Sequence, residues 1–167
     1  MEGAGTLSVD WRFFSLGVIN EGSEDVMDEP NNAGSAALRT LAFVKRMDGN
    51  EKAGKLYSAM GERSHEVPRR LIIDLVRDAL RDVDSDPGLV EKAMGDPETR
   101  EHVLRDHRTA VERVGAFGVP TIVLESGKGI FGPVIEDEGA TEPAELWSRV
   151  RWLVEKDGFF ELKRERG

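Results

Sequence analysis

Apolar and polar residues alternate first with the period of a strand, then of helices, then of a strand again. From Thr6 to Leu16, Leu7, Val9, Trp11 and Phe13 alternate with Ser8, Asp10 and Arg12. Period two predicts a strand with one covered face. Residues 20–32 are rich in Glu, Asp, Asn, Gly and Ser and contain one proline, so an exposed loop is expected there. A helix is predicted from Asn32 as N-cap, with Ala33, Ala36, Ala37, Leu41 and Val44 on one stripe until Gly49-Asn50 stops it. A second starts at Glu51 and aligns Ala53, Leu56, Tyr57 and Met60.

Pro68 marks a fresh start, and Leu71, Ile72, Leu75, Val76, Ala79, Leu80 and Val83 make the clearest apolar face in the chain. Asp86-Pro87 and Asp96-Pro97 each predict an N-cap followed by proline at the first helical position, with Gly95 and Gly115 closing the two helices. Five helices are therefore expected between the first strand and the next. After Gly115 the run Val119-Pro-Thr-Ile-Val-Leu, the turn Ser126-Gly-Lys-Gly and the segment Gly129-Ile-Phe-Gly predict a β-hairpin. A last helix opens at Thr141-Glu-Pro, with Leu146, Trp147, Val150, Leu153 and Val154 inward and Gly158 at its end.

A length of 167 residues with 39% hydrophobic content suits one domain with a sizeable core. The net charge of -9, with basic residues dispersed among acidic ones, argues against nucleic acid as a partner. No run of some 18 apolar residues and no secretory leader is evident, so a soluble cytoplasmic protein with no membrane association is expected. The chain has no cysteine, which excludes disulfides, thiolate metal sites and thiol chemistry by its own side chains. His65, His102 and His107 have no metal-binding spacing, so no metal is expected; His102 and His107 read as solvated helix residues.

A strand, a helical block, Gly118-Val119-Pro120-Thr121 entering a hairpin, and a closing helix follow the order of a thioredoxin-like α/β fold with a large helical insertion. Taken alone, Val-Pro-Thr reads equally well as a trans proline starting a strand. Four stretches carry more: Phe14-Ser-Leu-Gly-Val-Ile-Asn-Glu, Leu56-Tyr-Ser-Ala-Met-Gly-Glu-Arg-Ser-His, Gly118-Val-Pro-Thr-Ile-Val-Leu with Phe131-Gly-Pro-Val, and Phe159-Phe-Glu-Leu-Lys-Arg. In order and over nearly the whole chain they resemble the DsbA family of thiol-disulfide oxidoreductases, in particular its actinobacterial mycothiol-dependent, nitroreductase-like branch. The resemblance implies one domain over residues 1–167: a strand at 6–16, a helical insertion at 33–114, and a cis-proline loop, hairpin and closing helix at 118–158.

The family's first strand and Cys-Pro-Trp-Cys helix precede the part that matches Thr6 to Leu16, and a strand with its crossover helix needs roughly 30 residues. The chain is therefore expected to be an N-terminally truncated form whose natural start lies upstream. The resemblance implies reduction of disulfides or small electrophiles, no bound cofactor, and a low-molecular-weight thiol of the mycothiol type as co-substrate. The alternatives are a redox-inactive binding module, or an assembly protein in which a homodimer fills the gap in the sheet. No catalytic residue is assigned.

For a small-molecule or disulfide substrate, the candidate binding residues are Val119, Pro120 and Thr121 in the loop, with Tyr57, Met60, Arg63 and His65 on the helix resembling the cleft wall. Core packing is the competing reading for Tyr57 and Met60, and a solvated helix end for Arg63 and His65. Phe131-Gly-Pro and Phe159-Phe read as packing and turn elements.

Overall fold

The computed structural model describes residues 7–66, 72–135 and 142–161. The chain divides into two compact units, Ser8–Thr109 and, with the N-terminal residues to Leu7, Ala110 onward. The first is helical: α1 (Leu16–Glu21), a 3-10 turn (Glu24–Asp28), α2 (Ala33–Asp48), α3 (Asn50–Glu66), α4 (Ile73–Asp82), α5 (Leu89–Gly95) and α6 (Pro97–Val114). The residues of α6 from Ala110 belong to the second unit. Ala36, Leu41 and Val44 of α2, Leu56 and Met60 of α3, Leu75, Val76 and Leu80 of α4, and Val103 and Leu104 of α6 form one buried cluster. These are the apolar stripes at helical spacing, buried against each other.

The helix starts follow capping chemistry. Asn32 Oδ1 accepts from Ser35 N–H at 3.0 Å, and Asp96 Oδ1 accepts from Glu98 N–H at 2.9 Å. Asp86 Oδ1 likewise accepts from Gly88 N–H at 2.8 Å, but it fixes a turn, and α5 begins only at Leu89. The expected start at Pro68 lies outside the described residues, as does Leu71; Ile72 is exposed at the entrance to α4.

The expected exposed loop at 20–32 is instead partly folded inward. Val26 and Met27 are buried in the core cluster. Arg39, itself buried, donates to Met27 O at 3.0 Å and Asp28 Oδ1 at 3.1 Å on one side. On the other it donates to Met94 O at 2.7 Å, Asp96 O at 3.1 Å and Thr99 Oγ1 at 3.2 Å. A polar composition concealed two apolar residues, which sit beneath a turn fastened by one guanidinium.

The expected strand from Thr6 to Leu16 is corrected as well. Residues 7–15 belong to no sheet, and Leu16 already opens α1, with Ser15 Oγ as its cap accepting from Val18 N–H at 3.2 Å. The segment's main chain is nevertheless held at alternate residues. Trp11 N–H donates to Asn50 Oδ1 at 2.9 Å, Phe13 N–H to Asp106 Oδ2 at 3.3 Å, and Ser15 N–H to His107 Nδ1 at 3.3 Å. Asn50 Nδ2 also donates to Val9 O at 2.6 Å, and Lys45 Nζ to Trp11 O. Helix side chains thus fill the place that a neighbouring strand holds in a sheet, satisfying alternate main-chain groups.

His107 is therefore buried, and the solvated reading fails for it. Its neutral ring presents Nδ1 as an acceptor, and burial holds its pKa below the ordinary imidazole value. Burial also lowers that of His102, opposed by Asp106, whose Oδ2 lies 3.7 Å from His102 Nε2.

In the second unit, Gly115 at φ +61° ends α6, its N–H donating to Val111 O while Ala116 N–H donates to Ala110 O. Strands β1 (Thr121–Val123) and β2 (Gly129–Phe131) pair antiparallel, Thr121 opposite Phe131 and Ile122 opposite Ile130. They are the one sheet among the described residues. Leu124 N–H donates to Lys128 O, and Gly127 takes φ +83° in the turn. At Gly129 a Cβ would lie 2.8 Å from Val114 Cγ1, so only glycine fits against the end of α6. Helix α7 (Pro143–Val154) ends before the expected Gly158; Val154 is its buried residue, and Leu146, Trp147, Val150 and Leu153 are half-buried.

Candidate functional site

The loop between α6 and β1 runs Gly115-Ala-Phe-Gly-Val-Pro-Thr and contains no ionisable side chain. The Val119–Pro120 peptide is cis. Two bonds fasten the loop around it. Thr121 Oγ1 donates to Gly118 O at 2.7 Å, and Gly132 N–H donates to Pro120 O at 2.8 Å. Val119 lies between these anchors, 45% exposed, and its own N–H and C=O have no partner among the described residues. The rings of Phe117 and Phe131 lie 4.9 Å apart beside it, both exposed, and a Cβ on Gly118 would meet Phe131 Cε2 at 3.0 Å.

This arrangement offers a main-chain donor and acceptor on an apolar ledge. It suits an extended main chain or a flat apolar molecule. It supplies no general acid, base or nucleophile, because the Thr121 hydroxyl already donates to the loop. Phe131 packs, as expected for a packing element, yet it also presents an open ring edge. Phe117 was not anticipated, since a single aromatic in a short loop carries no periodic signal.

The other four candidates lie in the helical unit, on α3. Met60 is buried in the core cluster. Tyr57 is 54% exposed and rests on Trp11, with ring centroids 5.1 Å apart. Arg63 Nη2 donates to Asp82 Oδ1 at 2.7 Å, and its Nη1 lies 3.9 Å from Asp78. The hydrogen bond from Arg63 holds the Asp82 carboxyl below the usual carboxylate range. His65 lies in the last turn of α3, and its side chain falls outside the described residues. The structure thus groups Val119, Pro120 and Thr121 in one unit, and Tyr57, Met60, Arg63 and His65 in the other.

An open groove of about 560 Å³, missed by sequence reasoning, runs along α3. Val9, Trp11, Gly54, Glu62 and Asp82 are among its walls. At Gly54 a Cβ would stand 2.6 Å from Trp11 Nε1, so the indole lies directly on the helix backbone. An isolated glycine within a helical pattern is the sequence signal for such a close approach.

Comparison with known proteins identifies the lineage. Residues 1–164 match the family model described as Rv2466c-like, mycothiol-dependent nitroreductase Rv2466c. The chain belongs to this family. It is also 32% identical over 162 residues to the uncharacterized protein Rv2286c of Mycobacterium tuberculosis, an alignment covering 95% of this chain and 69% of that protein. The mycothiol-dependent nitroreductase family implies a thioredoxin-like DsbA fold, and the resemblance read from the four short stretches holds at the level of the family. Within these 167 residues there is no cysteine. No helix among the described residues is long and apolar enough to cross a membrane.

Proposed function

We propose that this chain is the substrate-recognising part of a thiol-dependent reductase of the DsbA branch, with the Val119 ledge as the binding element. The observation that carries the reading is the open main-chain pair of Val119, held between the Thr121–Gly118 and Gly132–Pro120 bonds and flanked by Phe117 and Phe131. Membership of the mycothiol-dependent nitroreductase family supports it.

In thiol-dependent disulfide reduction, a thiolate attacks one sulfur, forms a mixed disulfide and releases the other sulfur as a thiol. A second thiolate then resolves the mixed disulfide, so two thiols are oxidised to one disulfide for each substrate disulfide reduced. No side chain of this sequence can be either thiolate. The co-substrate is a low-molecular-weight thiol of the mycothiol type, and a protein thiol, where one takes part, comes from outside residues 1–167. The chain's share is orientation: it holds the substrate extended along Val119, so that the reacting bond is presented to the thiol.

By itself the 167-residue chain acts as a redox-inactive binding module. Titrating it with a disulfide-bearing peptide while following amide resonances tests the reading. Shifts centred on residues 117–121 and 131 are expected, weakened in Thr121→Val, which removes the hydroxyl anchor. Shifts elsewhere, or none, refute the ledge. Thiol-dependent turnover above background by the purified chain refutes the assignment of the redox step to an external thiol.

A further inference from the structure

We infer that His107 is a proton-operated latch on α1: while neutral it holds the start of that helix against α6, and on protonation it releases residues 15–22 while the rest of the helical unit stays folded. Ser15, His107 and the charged groups around them all lie within the one unit Ser8–Thr109. The inference does not depend on the role given to the Val119 ledge.

The latch converges on Ser15, which is buried and whose main-chain N–H and O and side-chain Oγ are all engaged. Its N–H donates to His107 Nδ1 at 3.3 Å, its Oγ accepts from Val18 N–H at 3.2 Å, and its O accepts from Ile19 N–H at 3.3 Å. The first bond fastens α1 to α6, and the other two make the first turn of α1, so fastening and helix start share one residue. The Phe14 ring lies on the His107 ring, 4.5 Å between centroids. At the far end Gly22, at φ +67°, closes α1 with its N–H on Val18 O. The turn that follows, Glu24–Asp28, is held separately by Arg39 through Met27 O and Asp28. Residues 15–22 are therefore a short piece between a histidine fastening and a glycine, able to open without taking the clamped turn with it.

Protonation changes this contact in kind. A neutral imidazole accepts at one nitrogen, whereas imidazolium donates at both, so Ser15 N–H would face another N–H in a buried site. The charged groups acting on His107 are Glu24 of the 3-10 turn, which favours the proton, and Arg108 on its own helix, which opposes it. Those two are paired with each other, Arg108 Nε donating to Glu24 Oε1 at 2.7 Å. The extended segment brings Phe14 and Ser15 against the ring, neither of which titrates. Burial prevails and holds the His107 pKa below the ordinary imidazole value. Opening returns the ring to a solvated pKa of about 6.5, so the ratio of open to closed α1 rises by up to about tenfold per pH unit below that value. His102 works differently. Asp106 Oδ2, which accepts from Phe13 N–H, lies 3.7 Å from His102 Nε2, and a proton on His102 strengthens that pairing without removing an acceptor from the main chain. Phe13 therefore stays fastened where Ser15 is released.

The test is amide hydrogen exchange of the full 167-residue chain, read by NMR in low urea at pH values from about 7.5 to about 5.5, with each rate divided by its intrinsic value at that pH. The amides of Ser15, Val18, Ile19 and Gly22 are expected to exchange through an opening at least about tenfold more frequent than that of Phe13, Val44 and Leu104, and nearly indifferent to urea. Its equilibrium constant should rise about fivefold to tenfold over the pH range. In His107→Asn, whose side-chain oxygen can accept from Ser15 N–H without titrating, that rise should shrink to within about twofold. A measurement on the wild-type chain needs no variant to fold: the ring nitrogen shifts should show His107 Nδ1 unprotonated at neutral pH and the ring titrating in step with the opening. Amides of α1 that share the rates and urea dependence of Val44 and Leu104 overturn the inference. So does a local opening that ignores pH, a pH dependence that survives His107→Asn, or a ring that carries its proton on Nδ1 at neutral pH.

Discussion

Arg39→Met tests how the helical unit is held together. The substitution keeps an unbranched side chain of comparable length and removes five hydrogen bonds. The groups left behind are not equivalent. Asp96 O still accepts from Thr99 Oγ1 at 2.7 Å, and Asp28 still pairs with Arg100 at 2.7 Å and is half exposed. Met27 O and Met94 O have no other donor among the described residues, so each loses its partner. Leaving a buried acceptor unpaired costs about 1–3 kcal/mol. The variant gains back some of what is spent in burying the guanidinium, whose pKa burial pushes below its ordinary value. No buried charge is left unpaired, so the two acceptors at about 1–3 kcal/mol each, less what is regained, give a net expected loss of about 2–5 kcal/mol. With a urea m-value of about 2 kcal/mol/M, the unfolding midpoint falls by roughly 2 M with little change in slope. Urea denaturation followed by circular dichroism reads this directly. A loss below about 1 kcal/mol would mean that the turn at Glu24–Asp28 is held by Val26 and Met27 alone, and the account of the clamp would be refuted.

Other outcomes follow from the same contacts. Stability should fall as pH drops through the unfolded-state histidine pKa of about 6.5, because the unfolded chain takes up protons that buried His107 and half-buried His102 resist. His107→Asn, whose side-chain oxygen can accept from Ser15 N–H without titrating, should flatten the profile between neutral and mildly acidic pH; an unchanged slope counts against that cause. Gly54→Ala should cost about 1–3 kcal/mol from the clash with Trp11, reduced by about 1 kcal/mol of helix propensity, and a stabilised variant would show that the indole does not lie on the helix. Asn50→Ala should lose about 1–2 kcal/mol by freeing Trp11 N–H and Val9 O, measured by thermal unfolding; no change would show that water replaces both bonds.

The helices were legible because their stripes are long and their ends carry chemical marks. Asn32, Asp96 and Gly115 each stand where capping requires them, and Leu75, Val76, Ala79 and Leu80 lie inward as their spacing dictates. The hairpin was legible from its glycine turn. The packed turn at 24–28 was not, since Val26 and Met27 are two apolar residues in an acidic run, too few to set a period. Nor was the burial of His107, because what it satisfies is a main-chain N–H 92 residues earlier in the chain. At the candidate site, the ledge residues Val119, Pro120 and Thr121 came from a motif. The groove over Gly54 depends on which side chain faces a helix glycine, and no local pattern encodes that.

The segment before Leu16 shows what a period-two pattern specifies. Alternation suggests which side chains face inward, and Phe13 is buried and Trp11 half-buried while Asp10 and Arg12 are exposed, but Leu7 and Val9, expected on the covered face, are exposed as well. It says nothing about what the main-chain edges meet. Those edges lie in the plane of the backbone, across the direction the side chains point. On the odd edge the donors and acceptors are met by Asn50, Lys45, Asp106 and His107, each on a helix, with Asp106 and His107 buried. Polar residues at such positions are costly unless something pairs with them, so their presence is evidence for the strand-like segment they serve. The same accounting, applied to the even edge, finds no helix residue for it.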